Sequence, residues 1–225
     1  QCGDAAGSDC GSLALHYSRA ASRFEERPAE LSTLRRLACS DGFAWACWGL
    51  ADSGASALDP GERDGVTRHL LEAACAGEER RACLALGERY EAGDGVVADA
   101  GLAEDFYQRA CDLWHPVACQ RLAELLMGDS DEPAAPGSRA RQLLDSGCMS
   151  GGSESCGQLA ELLADVDSDH HAAAPYFGLA CDRGIPAACA RFADYLWEGT
   201  VLRADRDRAR RLYRQACAAG GARAW

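Results

Sequence analysis

Six times along this chain a cysteine is followed by another eight positions on. The pairs are Cys2/Cys10, Cys39/Cys47, Cys75/Cys83, Cys111/Cys119, Cys148/Cys156 and Cys181/Cys189, and Cys217 is left over at the end of the series. A spacing that recurs every ~36 residues marks a repeat architecture, in which each unit buries its apolar face only against its neighbours.

The unit is clearest between Ala82 and Cys119. Cys83, Leu86, Gly87 and Tyr90 fall at i, i+3, i+4 and i+7, one face of a helix. Gly93 and Gly95 end that helix, because glycine enters the left-handed conformation without a steric penalty. Asp99 is placed to cap a second helix, whose apolar face is Ala103, Phe106, Tyr107 and Ala110. The unit is therefore a hairpin of a helix A and a helix B. Each first cysteine closes a helix B, and each second one opens the next helix A. Counting from the second cysteine, position +3 is Leu13, Leu50, Leu86, Leu122, Leu159 and Phe192, and position +4 is Ala14, Ala51, Gly87, Ala123, Ala160 and Ala193. A bulky residue beside a small one lets adjacent helices approach and interlock. The expected fold is all-α, an α-solenoid of helical hairpins over residues 1–225, with repeats at 10–46, 47–82, 83–118, 119–155, 156–188 and 189–225. Helix B of the first repeat is expected to start at Pro28 and to end at Cys39.

The Gly93-x-Gly95-Val96 turn, Asp99, Ala103-x-x-x-Tyr107 and Ala110-Cys111 resemble a Sel1-like repeat. The added cysteine pairs are similar to those of the cysteine-rich, secreted bacterial subfamily, the Helicobacter cysteine-rich proteins, which carry a β-lactamase-like family name. Cysteine-bearing Sel1 repeats of a mitochondrial respiratory-chain assembly factor are similar too. The resemblance implies a TPR-like scaffold that binds proteins or peptides. It also implies two rival activities, weak lactam binding or hydrolysis and a redox or haem-handling role.

Helix ends joined by a tight turn can bring two cysteines within the span a disulfide tolerates. The six pairs are accordingly expected to be disulfides, with Cys217 a free or intermolecular thiol that leaves the chain a monomer or a linked dimer. Structural zinc is the rival, but zinc sites favour shorter spacings and a nearby third and fourth ligand; reduced packing thiols are the other alternative, and Cys2 alone could be a lipoprotein cysteine. Disulfides at this density imply an oxidising compartment, hence a secreted or periplasmic protein.

Net charge is −12, and the 23 basic residues, all arginine, are read as dispersed, so nucleic acid is not an expected partner. With no lysine, the Ser-x-x-Lys route to lactam hydrolysis is closed. The five histidines are scattered apart from His170-His171, and no Cys-x-x-Cys-His run offers a haem site. No catalytic residues, metal site or cofactor are expected, and no transmembrane segment. Asp165-Val166-Asp167-Ser168-Asp169 superficially resembles a calcium loop but lacks its turn glycine and distal glutamate; a solvated loop with Asp169 capping the next helix is the expectation. One feature points to a partner. The residue five after the second cysteine is Asp52, Glu88, Glu124, Glu161 and Asp194 in five repeats. Equivalent positions stack in a solenoid, so these carboxylates would form a ladder suited to a basic protein or peptide; the alternative is that the position is simply polar in Sel1-like repeats and suits an acid near a helix N-terminus.

Overall fold

The computed structural model describes residues 28–53, 60–129 and 137–219, and the described residues are helical without a strand. Cys2, Cys10, Leu13, Ala14 and Tyr17 lie outside them. The helices are α1 (Pro28–Ser40), α2 (Ala44–Ser53), α3 (Pro60–Ala76), α4 (Arg80–Ala92), α5 (Ala100–Asp112), α6 (Pro116–Asp129), α7 (Arg139–Met149), α8 (Ser153–Glu161), α9 (His170–Asp182), α10 (Pro186–Glu198) and α11 (Arg206–Ala218). The fold class is the α-solenoid of hairpins. Its contacts group into two compact units, residues 1–113 and 114–225.

The turn from each helix B to the next helix A is built one way. The residue five before the second cysteine is always left-handed: Gly42, Glu78, Trp114, Gly151 and Gly184, with φ of 88°, 65°, 62°, 105° and 93°. Across four of these turns two amides reach back into the helix just ended. Glu78 N–H donates to Cys75 O and Glu79 N–H to Ala74 O, both at 3.0 Å; Gly184 and Ile185 do the same to Cys181 and Ala180 at 2.9 and 3.0 Å. This pair of bonds is the Schellman motif, which satisfies carbonyls a helix end would otherwise leave open. It fixes the first cysteine as the next-to-last residue of its helix and brings the second across from it. The Cα–Cα separations follow: 4.7 Å for Cys39–Cys47, 4.8 Å for Cys75–Cys83, 4.7 Å for Cys148–Cys156 and 4.5 Å for Cys181–Cys189, all disulfides. Cys111 and Cys119 are also oxidised, so five pairs of the series stand as disulfides among the described residues.

Packing follows the alternation read from the sequence. Ala46, Ala82, Ala118 and Ala188, each next to the second cysteine, are buried, as are Leu50, Leu86, Leu122 and Leu159 at +3. Ser155 takes the alanine position in the fifth helix A; its hydroxyl is buried without a hydrogen-bond partner, close against Gly147. Tyr107 and Phe177 are fully buried from helix B. A Cβ on Gly87 would stand 2.5 Å from the Tyr107 ring, so α4 and α5 meet this closely only because the residue is glycine. Arginines add a second link between successive repeats. Arg109 Nη2 donates to Cys75 O at 3.2 Å, and Arg183 Nη1 donates to Cys148 O at 2.7 Å. Each thereby covers a helix end one repeat earlier, where a cation also suits the helix dipole.

Asp99, Asp169 and Asp205 cap α5, α9 and α11 by accepting from Leu102, Ala172 and Arg208 N–H at 3.0, 2.9 and 2.9 Å. No helix among the described residues is long and apolar enough to cross a membrane.

Candidate functional site

The five ladder carboxylates sit at equivalent places on α2, α4, α6, α8 and α10, but their surroundings differ. In the first unit Asp52 and Glu88 are exposed. In the second, Glu124 is drawn into the protein's own hydrogen bonding. Its Oε1 accepts from Gln120 Nε2 and from Gln158 Nε2, each at 2.8 Å, and the latter bond joins two successive A helices. Glu124 Oε2 faces Arg121 at 3.4 Å. Glu161 and Asp194 are exposed. Asp194 Oδ1 accepts from the Tyr213 hydroxyl at 2.6 Å. Burial first, and then this bond, push the Tyr213 phenol well above its ordinary range, which keeps it a donor at any physiological pH.

Glu161 and Asp194 share the rim of a recess of about 390 Å³, floored by Ala187 and Ala190. Asp165 and Arg191 complete its lining. They pair with each other, and the Arg191 guanidinium lies over the Phe177 ring at 5.5 Å from its centre. Three carboxylates against one occupied guanidinium leave the recess negative, and its small floor leaves room for a long side chain.

The Asp165–Asp169 run is where the sequence reading needs correction. It is not simply a solvated loop. The chain shortens here by continuing α8 into a π-helical turn over Leu162–Val166. Asp165 pairs with Arg191, Asp167 pairs through both oxygens with the buried Arg141 of α7, and Asp169 caps α9. All three side chains have partners within the fold. The hydrogen bond from Arg141 holds the Asp167 carboxyl below its usual range, with burial opposing it. A carboxyl depressed in the folded state stabilises above its unfolded pKa, about 3.9, and that contribution is lost as pH falls through the lower folded value. The stability gap between the native protein and Asp167→Asn should therefore be constant from pH 7 to 5 and narrow as pH falls below about 4. Urea midpoints at several pH values measure it; a gap that persists unchanged at pH 2 would show that the ion pair is not its source.

His170 and His171 are exposed, and His170 Nδ1 lies 3.0 Å from the Tyr195 hydroxyl. Among the described residues no group of three or more His, Cys, Asp or Glu side chains is arranged to hold a metal ion. Cys217, on α11, is free and exposed.

A second correction concerns charge. The arginines are not dispersed. Six of them, Arg203, Arg206, Arg208, Arg210, Arg211 and Arg214, fall in one short stretch that includes most of α11, against only Asp205 and Asp207. The signal was in the sequence, and averaging charge over the whole chain hid it.

The Sel1 repeat family model matches residues 80–113 and 186–221. Among solved structures, a Sel1 repeat protein from Oxalobacter formigenes is similar at 17% identity and a TM-score of 0.72, over 96% of this chain and 85% of that one. A protective antigen of uropathogenic Escherichia coli strains, described as displaying an SLR fold, is similar at 19% identity and a TM-score of 0.72, over 94% of this chain. This chain spans 45% of that antigen's length. At these identities the likeness is one of fold. No curated protein sequence matches the chain.

Proposed function

We propose that this chain, a Sel1-repeat protein of the cysteine-rich kind, is a scaffold that binds a protein or peptide carrying basic side chains. The observation that carries the reading is the negative recess between exposed Glu161 and Asp194 in the second unit; exposed Asp52 and Glu88 hold the same repeat position in the first, which extends it by register into an acidic row. Repeat surfaces of this kind recognise partners by presenting the same position many times over. Glu124 belongs to the row by register, but it spends its acceptors on Gln120 and Gln158, so it serves the packing of α6 on α8. We take residues 1–225 as one continuous array of the six repeats, working in the periplasm or outside the cell. The five oxidised pairs support an oxidising compartment. The lactam and haem readings have no observation of this kind behind them.

Exposed charges act mainly on association rate and are screened by salt. A labelled octa-arginine peptide is a suitable probe. Glu88→Gln with Glu161→Gln should slow its association about three- to tenfold at low salt, with the difference vanishing at high salt and the unfolding midpoint unmoved. Asp105→Asn with Asp182→Asn, exposed elsewhere, removes the same charge and serves as control. Equal slowing in both variants would reduce the row to a share of net charge and defeat the proposal.

A further inference from the structure

The arginines of α11 are set apart by how densely they lie on aromatic rings. Elsewhere several guanidinium groups are spent inside the fold: Arg141 on Asp167, Arg191 on Asp165, Arg109 and Arg183 on backbone carbonyls. Arg81 and Arg191 each also lie over one ring, Trp48 and Phe177, but on α11 neighbouring arginines crowd onto the rings of a single adjacent helix. The Arg206 and Arg210 guanidinium carbons stand 5.5 and 5.7 Å from the centre of the Trp197 ring, and that of Arg208 stands 5.2 Å from the centre of Phe192. Both rings belong to α10. A cation over an aromatic face is held in place, yet N–H groups at the edge of the guanidinium plane can still meet an acceptor; on Arg210 one of them, on Nη1, is already given to Asp207 Oδ1 at 3.5 Å. Arg206 and Arg210 are one turn apart, so their forks point from neighbouring places on one helix face. Trp197 is itself 40% exposed between them.

We propose that the α10–α11 hairpin is a docking surface for an acidic polypeptide segment, whose carboxylates are received by Arg206 and Arg210 on the Trp197 platform. This surface is opposite in sign to the acidic row, whose last member, Asp194, stands on the same hairpin and accepts from Tyr213 of α11; the proposal does not depend on that reading.

A guanidinium fork matches carboxylate and phosphate alike, so the choice between them rests on the surroundings. Asp205 and Asp207 alternate with the arginines, and Asp207 lies 3.5 Å from Arg210. A nucleic acid carries about one charge per 1.7 Å of helix, and an anionic membrane is similarly continuous. Either would lay negative charge on those aspartates as well as on the arginines. A peptide places its carboxylates singly and can meet the arginines while passing the aspartates. The protein's net charge of −12 also repels an extended polyanion more than a short segment. A short segment feels only what lies within a Debye length, about 8 Å at physiological ionic strength. The exposed indole adds an apolar surface for the methylenes of a glutamate side chain.

The test uses the whole chain and a fluorescein-labelled octapeptide in which glutamate alternates with serine, followed by anisotropy at about 50 mM and about 300 mM salt, between which the screening length falls by more than half. This peptide should bind at the lower salt and weaken at the higher. Arg206→Gln with Arg210→Gln should weaken binding at least about fivefold, and Trp197→Ala should weaken it about threefold with every charge retained, as loss of the platform requires. Arg36→Gln with Arg80→Gln, both exposed on other helices, should change it by less than about twofold. The arginines are exposed, so their variants test the site even if Trp197→Ala folds poorly. Absence of binding, or equal loss in the control pair, overturns the proposal. So does tighter binding of an oligothymidylate, of phosphatidylglycerol vesicles or of octaglutamate, all continuous polyanions, than of the alternating peptide. Salt-sensitive self-association that the Arg206/Arg210 variant abolishes would instead make the occupant a second copy, and would overturn it too.

Discussion

Reduction of the disulfides should unfold this protein or bring it to the edge of unfolding at ordinary temperature. In the chain-entropy account each ring of this size contributes up to about 2.5 kcal/mol. The turns it closes are already stiffened by Schellman hydrogen bonds, which lowers the gain per link. Five links still amount to something on the order of 10 kcal/mol, against a total stability of about 5–15 kcal/mol for an ordinary domain. For a chain of this size that corresponds to a fall in Tm of roughly 20–40 °C. Far-ultraviolet circular dichroism with and without a reductant measures it, and a Tm that moves by only a few degrees would show that hairpin packing alone suffices. Peptide mapping of the oxidised protein should return Cys75–Cys83 and Cys148–Cys156; a link such as Cys39–Cys111 would contradict the repeat register itself.

The second large effect is expected at Gly87. The Tyr107 ring is fully buried and occupies the space where any side chain at position 87 would begin. Gly87→Ala should cost about 1–3 kcal/mol, although alanine is the better helix former by about 1 kcal/mol and stands at this position in most other repeats. The diagnostic is the double variant with Tyr107→Leu, whose smaller side chain gives the methyl room. The two changes together should cost at least about 0.5 kcal/mol less than the sum of their separate effects. Strict additivity, from urea unfolding of the four proteins, would mean that α4 and α5 separate without resistance.

What the sequence made legible was whatever repeats. The helix faces, the caps at Asp99 and Asp169, the disulfide register and the small residue at +4 all recur at fixed positions, so each copy supports the reading of the others. The left-handed turn position was half visible. Glycine marks it in three repeats, but Glu78 and Trp114 adopt the same φ, and nothing local to those residues announces it. The contacts that depart from the repeat could not be read in this way. Arg141 and Asp167 meet across 26 positions because the fifth repeat lost part of its loop and compensated with a π-helical turn. The engagement of Glu124 by Gln158 is likewise a matter of what stands at +2 one repeat later, where other repeats place different residues. The stacking of arginines on Trp197 needs two helices side by side before it exists at all.

The inter-repeat turn also bears on how the chain reaches its oxidised state. In an unfolded chain the native partner of each paired cysteine is its nearest neighbour in one direction, eight residues away. Closing a loop to the next cysteine of the series costs about 1 kcal/mol more in chain entropy, so correct pairing is favoured while the chain is still unfolded. A pair such as Cys75 and Cys83 can therefore close as soon as its own short segment has entered an oxidising space, while the rest of the chain is still reduced or unsynthesised. Each closed ring then presents a preformed turn on which the next helix can start. Most cysteine-rich proteins must sort their links by reshuffling; here the order of the sequence does the sorting, and the chain can be oxidised in the direction in which it is made.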